Sequence, residues 1–253
     1  MTTRATPLPL KRSDSSTVKV NPHQPVVILG GFLITDEAYQ PLIDWLATTQ
    51  GIDASVVHAS RSDWLLTSWA FGWKRLLKRV DQAVLAAKAR SGSSRVTLIG
   101  HSSGGVMLRL YLAEAALDGA SLNGRQHCNR LICLGSPHQA LRATPLRAMV
   151  DRLLPGCACA SDVDYISVAG RLNLQSTAAS AFARRSAPGN YERICGDAQA
   201  AGDGLVPVSS AWLKGSRLIE LEDTAHGGFF GQPWYGSAER ISQWWAMAQG
   251  ATP

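Results

Sequence analysis

No apolar run in the 253 residues approaches the roughly 18 needed to cross a bilayer, so no stretch reads as a transmembrane helix. The opening MTTRATPLPLKRSDSSTVKVNPHQP has no continuous apolar core, which argues against a secretory signal. Rich in Ser, Thr and Pro and basic, it reads as a flexible tail over residues 1–24, with an organelle transit peptide as the alternative. Cysteine is scarce: Cys128, Cys133, Cys157, Cys159 and Cys195 make an odd count with no CxxC pair. That does not suggest a disulfide framework and offers no half of a zinc site with a partner pair, so reduced, mostly packing cysteines are expected. A cytoplasmic location is expected, with a plastid or a membrane-peripheral one as the alternatives. Arginine-rich stripes with interleaved aromatics are missing too, so no nucleic-acid partner is expected. Of the net charge of +6, the tail supplies +3 through Arg4, Lys11, Arg12 and Lys19 against Asp14. The remainder is mildly basic, which leaves peripheral contact with an anionic membrane open. There are no internal repeats.

What is present is an alternation. Pro25–Leu29, Ala54–His58, Val96–Ile99, Leu131–Leu134, Tyr191–Cys195 and Arg217–Leu221 read as short strands, several apolar on successive residues. Successive apolar residues suit a parallel sheet covered on both faces. Thr35–Thr48, Asp63–Ala89, Gly104–Leu117 and Ser237–Ala248 have helical spacing, and Trp64, Trp69 and Trp73 are expected to pack in the core. The implied class is α/β: a mostly parallel central sheet flanked by helices, one domain over 25–253. About 55 residues separate Gly135 from the strand at Tyr191, well above a usual crossover of ~10–15 residues. The segment 139–190 is read as a helical lid at the carboxyl edge of the sheet, where such folds place ligands.

Gly100-His101-Ser102-Ser103-Gly104 fits G-x-S-x-G, and only Ser102 has glycine two residues away on both sides. A nucleophile held on a sharp strand-to-helix turn needs a strained backbone and small neighbours. The pentapeptide lies between VTLI and VMLRLYLAEAAL, a strand pattern and then a helix pattern. Ser103 would act through its backbone N–H at the start of that helix, as a donor to an oxyanion. A serine hydroxyl needs a base, and the base an orienting acid. Asp203, in GDGLVP, and His226, in DTAHGG, both sit on glycine-flanked loops after predicted strands. Asp197 is the rival acid, and Asp223 is read as shaping the loop of His226. His138 precedes the acid and follows the wrong strand for a base; His101 is expected to pack. His23, His58 and His127 read as surface or satisfied histidines. The loop LGGFL after the first strand makes the Phe32 N–H the candidate second donor.

Together VVILGGF, LIGHSSGGV, LGSPHQA, GDGLVPVSSA and DTAHGGFF resemble the α/β-hydrolase superfamily, in particular its lipase/esterase branch and a pattern similar to cyanobacterial and plastid hydrolases. The five motifs occur in the family's order across residues 26–230. The resemblance implies the α/β-hydrolase fold, with Ser102 as nucleophile, Asp203 as acid, His226 as base, and Phe32 and Ser103 as oxyanion donors. One departure stands out: Gly30 occupies a position where many lipases have histidine, which bears on the geometry of that loop.

The activity these residues imply is hydrolysis of a carboxylic ester through an acyl-enzyme, with no cofactor and no metal. A lipid-like or otherwise apolar small-molecule ester is the expected substrate, its acyl pocket lined by the segment 139–190 and by Phe229, Phe230, Trp234 and Tyr235. Arg142, Arg147, Arg152, Arg184 and Arg185 of the lid would meet anionic head groups or form a solvated face. A thioesterase or acyltransferase on the same triad, or a silent binding protein on the same fold, are the alternatives.

Overall fold

Val26–Leu29 (β1), Ala54–Val56 (β2), Val96–His101 (β3), Cys128–Leu134 (β4), Asp164–Arg171 (β5) and Arg217–Glu222 (β6) form one parallel sheet in the order β2-β1-β3-β4-β5-β6. The computed structural model describes residues 18–32, 34–113 and 122–250. The expected helix over 104–117 is described as far as Leu112, and its last four residues lie outside the described ones, as do most of the expected tail and Leu33.

Successive side chains of β1 and β3 alternate between two apolar layers, as the period of two in a strand requires. One layer takes Ala70–Ser91 (α3) and Ser103–Leu112 (α4); the other takes Gln40–Gln50 (α1) and Ala238–Ala248 (α8). With both faces covered, β1, β3 and β4 are buried throughout. Each large side chain sealed this way, such as Leu42 or Trp244, contributes roughly 1.5–3 kcal/mol.

The chain runs from β1 outward to β2, then crosses back to place β3 on the other side of β1. This reversal opens a crevice beyond the carboxyl ends of β1 and β3, where α/β sheets bind ligands.

Four expectations need correction. Tyr191–Cys195 is not a strand but the end of a helix, Ala181–Cys195 (α6), which Ser180 caps at its start and Gly196 ends at φ 76°. The missing sixth strand is β5, which lies inside the segment read as a lid. That segment, 139–190, is therefore not one insertion. A first excursion after β4 carries Pro145–Leu153 (α5), and a second after β5 carries α6. Nor is the tail free over all of 1–24. Gln24 donates to Thr97 Oγ1 and Asn129 Oδ1, both at 2.8 Å, and Asn129 donates to the Lys19 carbonyl at 2.9 Å. Those bonds hold residues near the sheet's amino edge.

The fourth correction concerns the helix expected over 63–89, which is two: Arg61–Leu66 (α2) and α3. Gly72 permits the break, because a Cβ there would stand 2.1 Å from the Leu66 carbonyl oxygen. Trp69 falls at the break with extended backbone and is 58% exposed, whereas Trp64 and Trp73 are buried as expected.

Candidate active site

Ser102 stands between β3 and α4 at φ 52°, ψ −126°, a left-handed conformation that a serine adopts only under constraint. Its three neighbouring glycines explain how the turn closes. A Cβ on Gly100 would lie 2.3 Å from the Cα of Gly105, and one on Gly104 would lie 2.3 Å from the Leu29 carbonyl oxygen. One on Gly105 would meet Ser136 Oγ at 2.1 Å. The Ser102 N–H is held by the Leu134 carbonyl at 2.9 Å, so β4 also fixes the turn.

His226 Nε2 is 3.0 Å from Ser102 Oγ, and His226 Nδ1 is 2.8 Å from Asp203 Oδ2. An ionised carboxylate only accepts, so Nδ1 carries the proton and Nε2 is free to accept from the serine hydroxyl. Asp203 takes three further bonds: Val206 N–H at 2.7 Å and Leu205 N–H at 3.0 Å to Oδ1, and the Tyr235 hydroxyl at 2.8 Å to Oδ2. Tyr235, expected in the pocket wall, is instead fully buried and holds the acid; its oxygen also accepts from Gly170 N–H at 2.7 Å. Trp234 does line the cleft.

Asp203 arrives by an indirect route. The chain leaves β5 at Arg171, travels through α6, and returns, the Leu172 N–H donating to the Gly202 carbonyl at 2.8 Å. The excursion thus closes on itself and sets Asp203 beside the end of β5. The His226 N–H then donates to the Asp203 carbonyl at 2.8 Å, joining the two loops through backbone as well. Asp197 is exposed and caps its own turn, accepting from Gln199 N–H at 2.9 Å. His138 is buried beside Arg109, which contacts its Nδ1 at 3.4 Å, and has no contact with the serine.

A hydrogen-bonded chain that the sequence did not disclose crosses beneath this array. Gly31 N–H donates to the Tyr39 hydroxyl at 2.8 Å, Tyr39 donates to His101 Nδ1 at 2.8 Å, and His101 Nε2 donates to the His226 carbonyl at 2.8 Å. Only a neutral His101 protonated on Nε2 satisfies every member. Burial, with the neighbouring His226 adding to it, drives the His101 pKa well below the usual histidine value, so the neutral form is the one present. Gly30 belongs to the same arrangement: a Cβ there would stand 2.6 Å from the Tyr39 ring. The tyrosine therefore fills the space that a side chain at position 30 would need. No local signal in the sequence connects Tyr39 to His101, 62 residues away.

The Gly30–Phe32 loop lies directly over the serine, with a Cβ on Gly31 falling 3.0 Å from Ser102 Cβ. Among the described residues the Phe32 N–H has no hydrogen-bond partner. The Ser103 N–H, at the first position of α4, has no intrahelical acceptor. Both expected donors thus lie close to Ser102, and neither N–H has a backbone acceptor among the described residues.

Above the serine opens a cleft of about 1000 Å³. Phe32, Trp64, Phe229 and Phe230 line it, Phe230 edge-on to His226 with ring centroids 5.6 Å apart. Phe182 of α6 stacks obliquely on Phe229 at 4.4 Å. Trp64 is carried there by α2, whose first turn Asp63 anchors. Although burial pushes the Asp63 carboxyl up, bonds from Ser60 and Arg79 outweigh it and hold the group at about 2. Ser102, at 7% exposure, forms part of the floor.

No sequence-family model and no curated protein matches the chain. Solved structures do. A lipase of Bacillus licheniformis, BlEst2 in its mature form, is similar with a TM-score of 0.57 and 15% identity, covering 85% of this chain and 89% of its own. The product of gene lin2722 from Listeria innocua is similar at a TM-score of 0.54 and 15% identity, covering 90% of this chain and 95% of its own. At such identities what is shared is the course of the backbone. With the parallel sheet, its crossing order and the turn after β3, these likenesses establish that the protein has the α/β-hydrolase fold.

Proposed function

We propose that the protein is a serine hydrolase that cleaves carboxylic esters with an apolar portion. The observation that carries this reading is the unbroken hydrogen-bonded line from Ser102 through His226 to Asp203, laid on the floor of an aromatic-walled cleft. Ser102 Oγ attacks the ester carbonyl carbon as His226 Nε2 takes its proton. The imidazolium that forms is stabilised by Asp203 and kept in register by the bonds on that carboxylate. The carbonyl oxygen, now negative, is met by the N–H groups of Phe32 and Ser103. Collapse expels the alcohol, which receives the proton from His226. A water then repeats the sequence on the acyl-serine, returning Ser102 and releasing the acid.

The walls support an apolar ester over a small polar one, since Phe32, Trp64, Phe229 and Phe230 surround the reacting position. A screen of 4-nitrophenyl esters of rising acyl length, wild type against Ser102→Ala, tests the reading together with a fluorophosphonate probe. Labelling of wild type alone, and turnover lost in the variant, is the expected result. Folded wild-type protein that neither takes the probe nor cleaves any ester would end the proposal.

A further inference from the structure

The cleft is not apolar throughout. Besides the aromatic residues its wall carries Arg142, Arg147 and Arg193, and no carboxylate lines it among the described residues. Arg142 and Arg147 come from the excursion after β4 and Arg193 from α6, and the two segments are stitched together. Leu141 N–H donates to the Ile194 carbonyl at 2.9 Å, setting Arg142 beside the end of α6 where Arg193 sits. Arg147 donates to the Arg142 carbonyl at 3.0 Å. Their charge is poorly compensated. Among the described residues the Arg147 Nε is buried with no partner, and Asp151, whose charge acts on Arg147, is shared with Arg109, which bonds it at 3.1 Å. Among the described residues Arg193 donates only to the neutral Asn190 side chain, at 2.6 Å. The other arginines of this region are differently placed. Arg184 is spent on the carbonyls of Leu174 and Ser176, while Arg152 and Arg185 do not line the cleft. The amino end of α5, capped by Thr144, opens onto the same wall and adds the positive end of a helix dipole.

Arg193 lies on α6 eleven residues, or about 16 Å of rise, from Phe182, which stacks on Phe229. Arginines on the wall of a largely apolar cleft that no carboxylate lines favour a ligand that brings its own negative charge.

Resting on the ester-hydrolase reading above, we propose that the ester this protein cleaves bears an anionic group, carboxylate or phosphate, held by Arg142, Arg147 and Arg193 on the wall of the cleft. The group takes no part in bond making; it fixes which length of ester reaches the serine with its carbonyl in place.

The test uses matched pairs. 4-Nitrophenyl esters of six-, eight- and ten-carbon dicarboxylic acids, with the far carboxylate free, are compared with the same compounds methylated at that carboxylate. A second arm compares fatty-acid release from micelles of phosphatidylglycerol and of phosphatidylcholine. The expected result is a preference of about tenfold or more in kcat/KM for the charged member in at least one arm, declining as salt is added. The soluble arm alone would identify a small anion, the micellar arm alone a lipid headgroup. Arg142→Gln combined with Arg193→Gln, both exposed and so tolerant of change, brings the ratio toward one; Arg142→Lys with Arg193→Lys restores much of it. Robust turnover that ignores the charge in both arms, or a ratio unmoved by the double glutamine change, overturns the proposal. Calorimetry on the Ser102→Ala protein separates the two readings, using decanedioic acid monomethyl ester against its dimethyl ester. Preferential binding of the monoester by a protein whose wild type cleaves nothing would sink the hydrolase reading and leave the anion site standing.

Discussion

Removing one oxygen from Tyr39 tests whether the chain beneath the serine shapes the site. Tyr39→Phe keeps the ring, which is buried and packs against Gly30, and deletes the hydroxyl that accepts from Gly31 and donates to His101. The Gly31 N–H and the His101 Nδ1 would then both be buried without partners. Each orphaned group costs about 1–3 kcal/mol, so a loss of roughly 2–6 kcal/mol in stability is expected. For a chain of this size that lowers Tm by roughly 4–24 °C. Activity suffers by a separate route. Gly31 precedes Phe32, whose N–H is offered to the reacting oxygen, and His101 holds the carbonyl of the base, His226. Complete loss of one such donor costs ~10²–10³ in turnover, and a displaced donor less, so kcat should fall about tenfold with KM little changed. Differential scanning calorimetry and initial rates on a soluble ester measure the two effects. A variant with wild-type Tm and kcat would refute the reasoning, because it would mean the hydroxyl neither satisfies the loop nor positions it.

Asp203→Asn should lower ester turnover by ~10³–10⁴ while the fold persists, and Asp197→Asn should leave rates near wild type; the reverse ranking would reassign the acid. Ser102→Gly should be more stable than Ser102→Ala by about 1 kcal/mol, since glycine accepts φ 52°, ψ −126° and alanine does not; equal denaturation midpoints would argue against strain at the turn. Gly105→Ala should destabilise by ~1–3 kcal/mol through its clash with Ser136, and Gly105→Ala with Ser136→Gly should recover part of that loss in urea melts. His101 and His138 are both held neutral well below the usual 6.5 by burial, aided by His226 in one case and by Arg109 and Arg147 in the other. The unfolded chain therefore binds more protons than the folded one below pH 6.5. Stability falls with pH there, with a slope approaching about 1.4 kcal/mol per pH unit for each histidine. Urea unfolding that gives the same stability at pH 7 and pH 5 would contradict it.

How far the sequence could be read depended on the range of the interactions. The turn at Ser102 was legible because its constraints are local: glycine at 100, 104 and 105 leaves room for Leu29, Ser136 and the start of α4, and no other residue fits. Asp203 and His226 were legible as glycine-flanked loops in the expected order. The route to Asp203 was not. Tyr191–Cys195 has β-forming residues following Pro188 and Gly189, yet Tyr191 is turned inward and its hydroxyl accepts from Gly204 N–H at 2.7 Å, a helix-borne contact that steadies the acid loop. The missing strand Asp164–Arg171 was hidden by its place among helical segments, and pairing with β4 and β6 is what makes it a strand. Trp69 followed the helical period of its neighbours until the break at Thr67–Trp69, which the tight approach of Gly72 to Leu66 sets.

Ser102, Asp203 and His226, with the sheet class around them, followed from short-range chemistry: small residues where a turn must close, and apolar runs where both faces are covered. Tertiary structure alone decided which tyrosine serves which loop, and which arginines face the cleft. Tyr39 reaches His101, and Tyr235 reaches Asp203, only because parallel crossovers return distant segments to one edge of the sheet. The same holds for Arg142 and Arg193, neighbours through the bond from Leu141 to Ile194, an encounter that no local pattern of residues encodes.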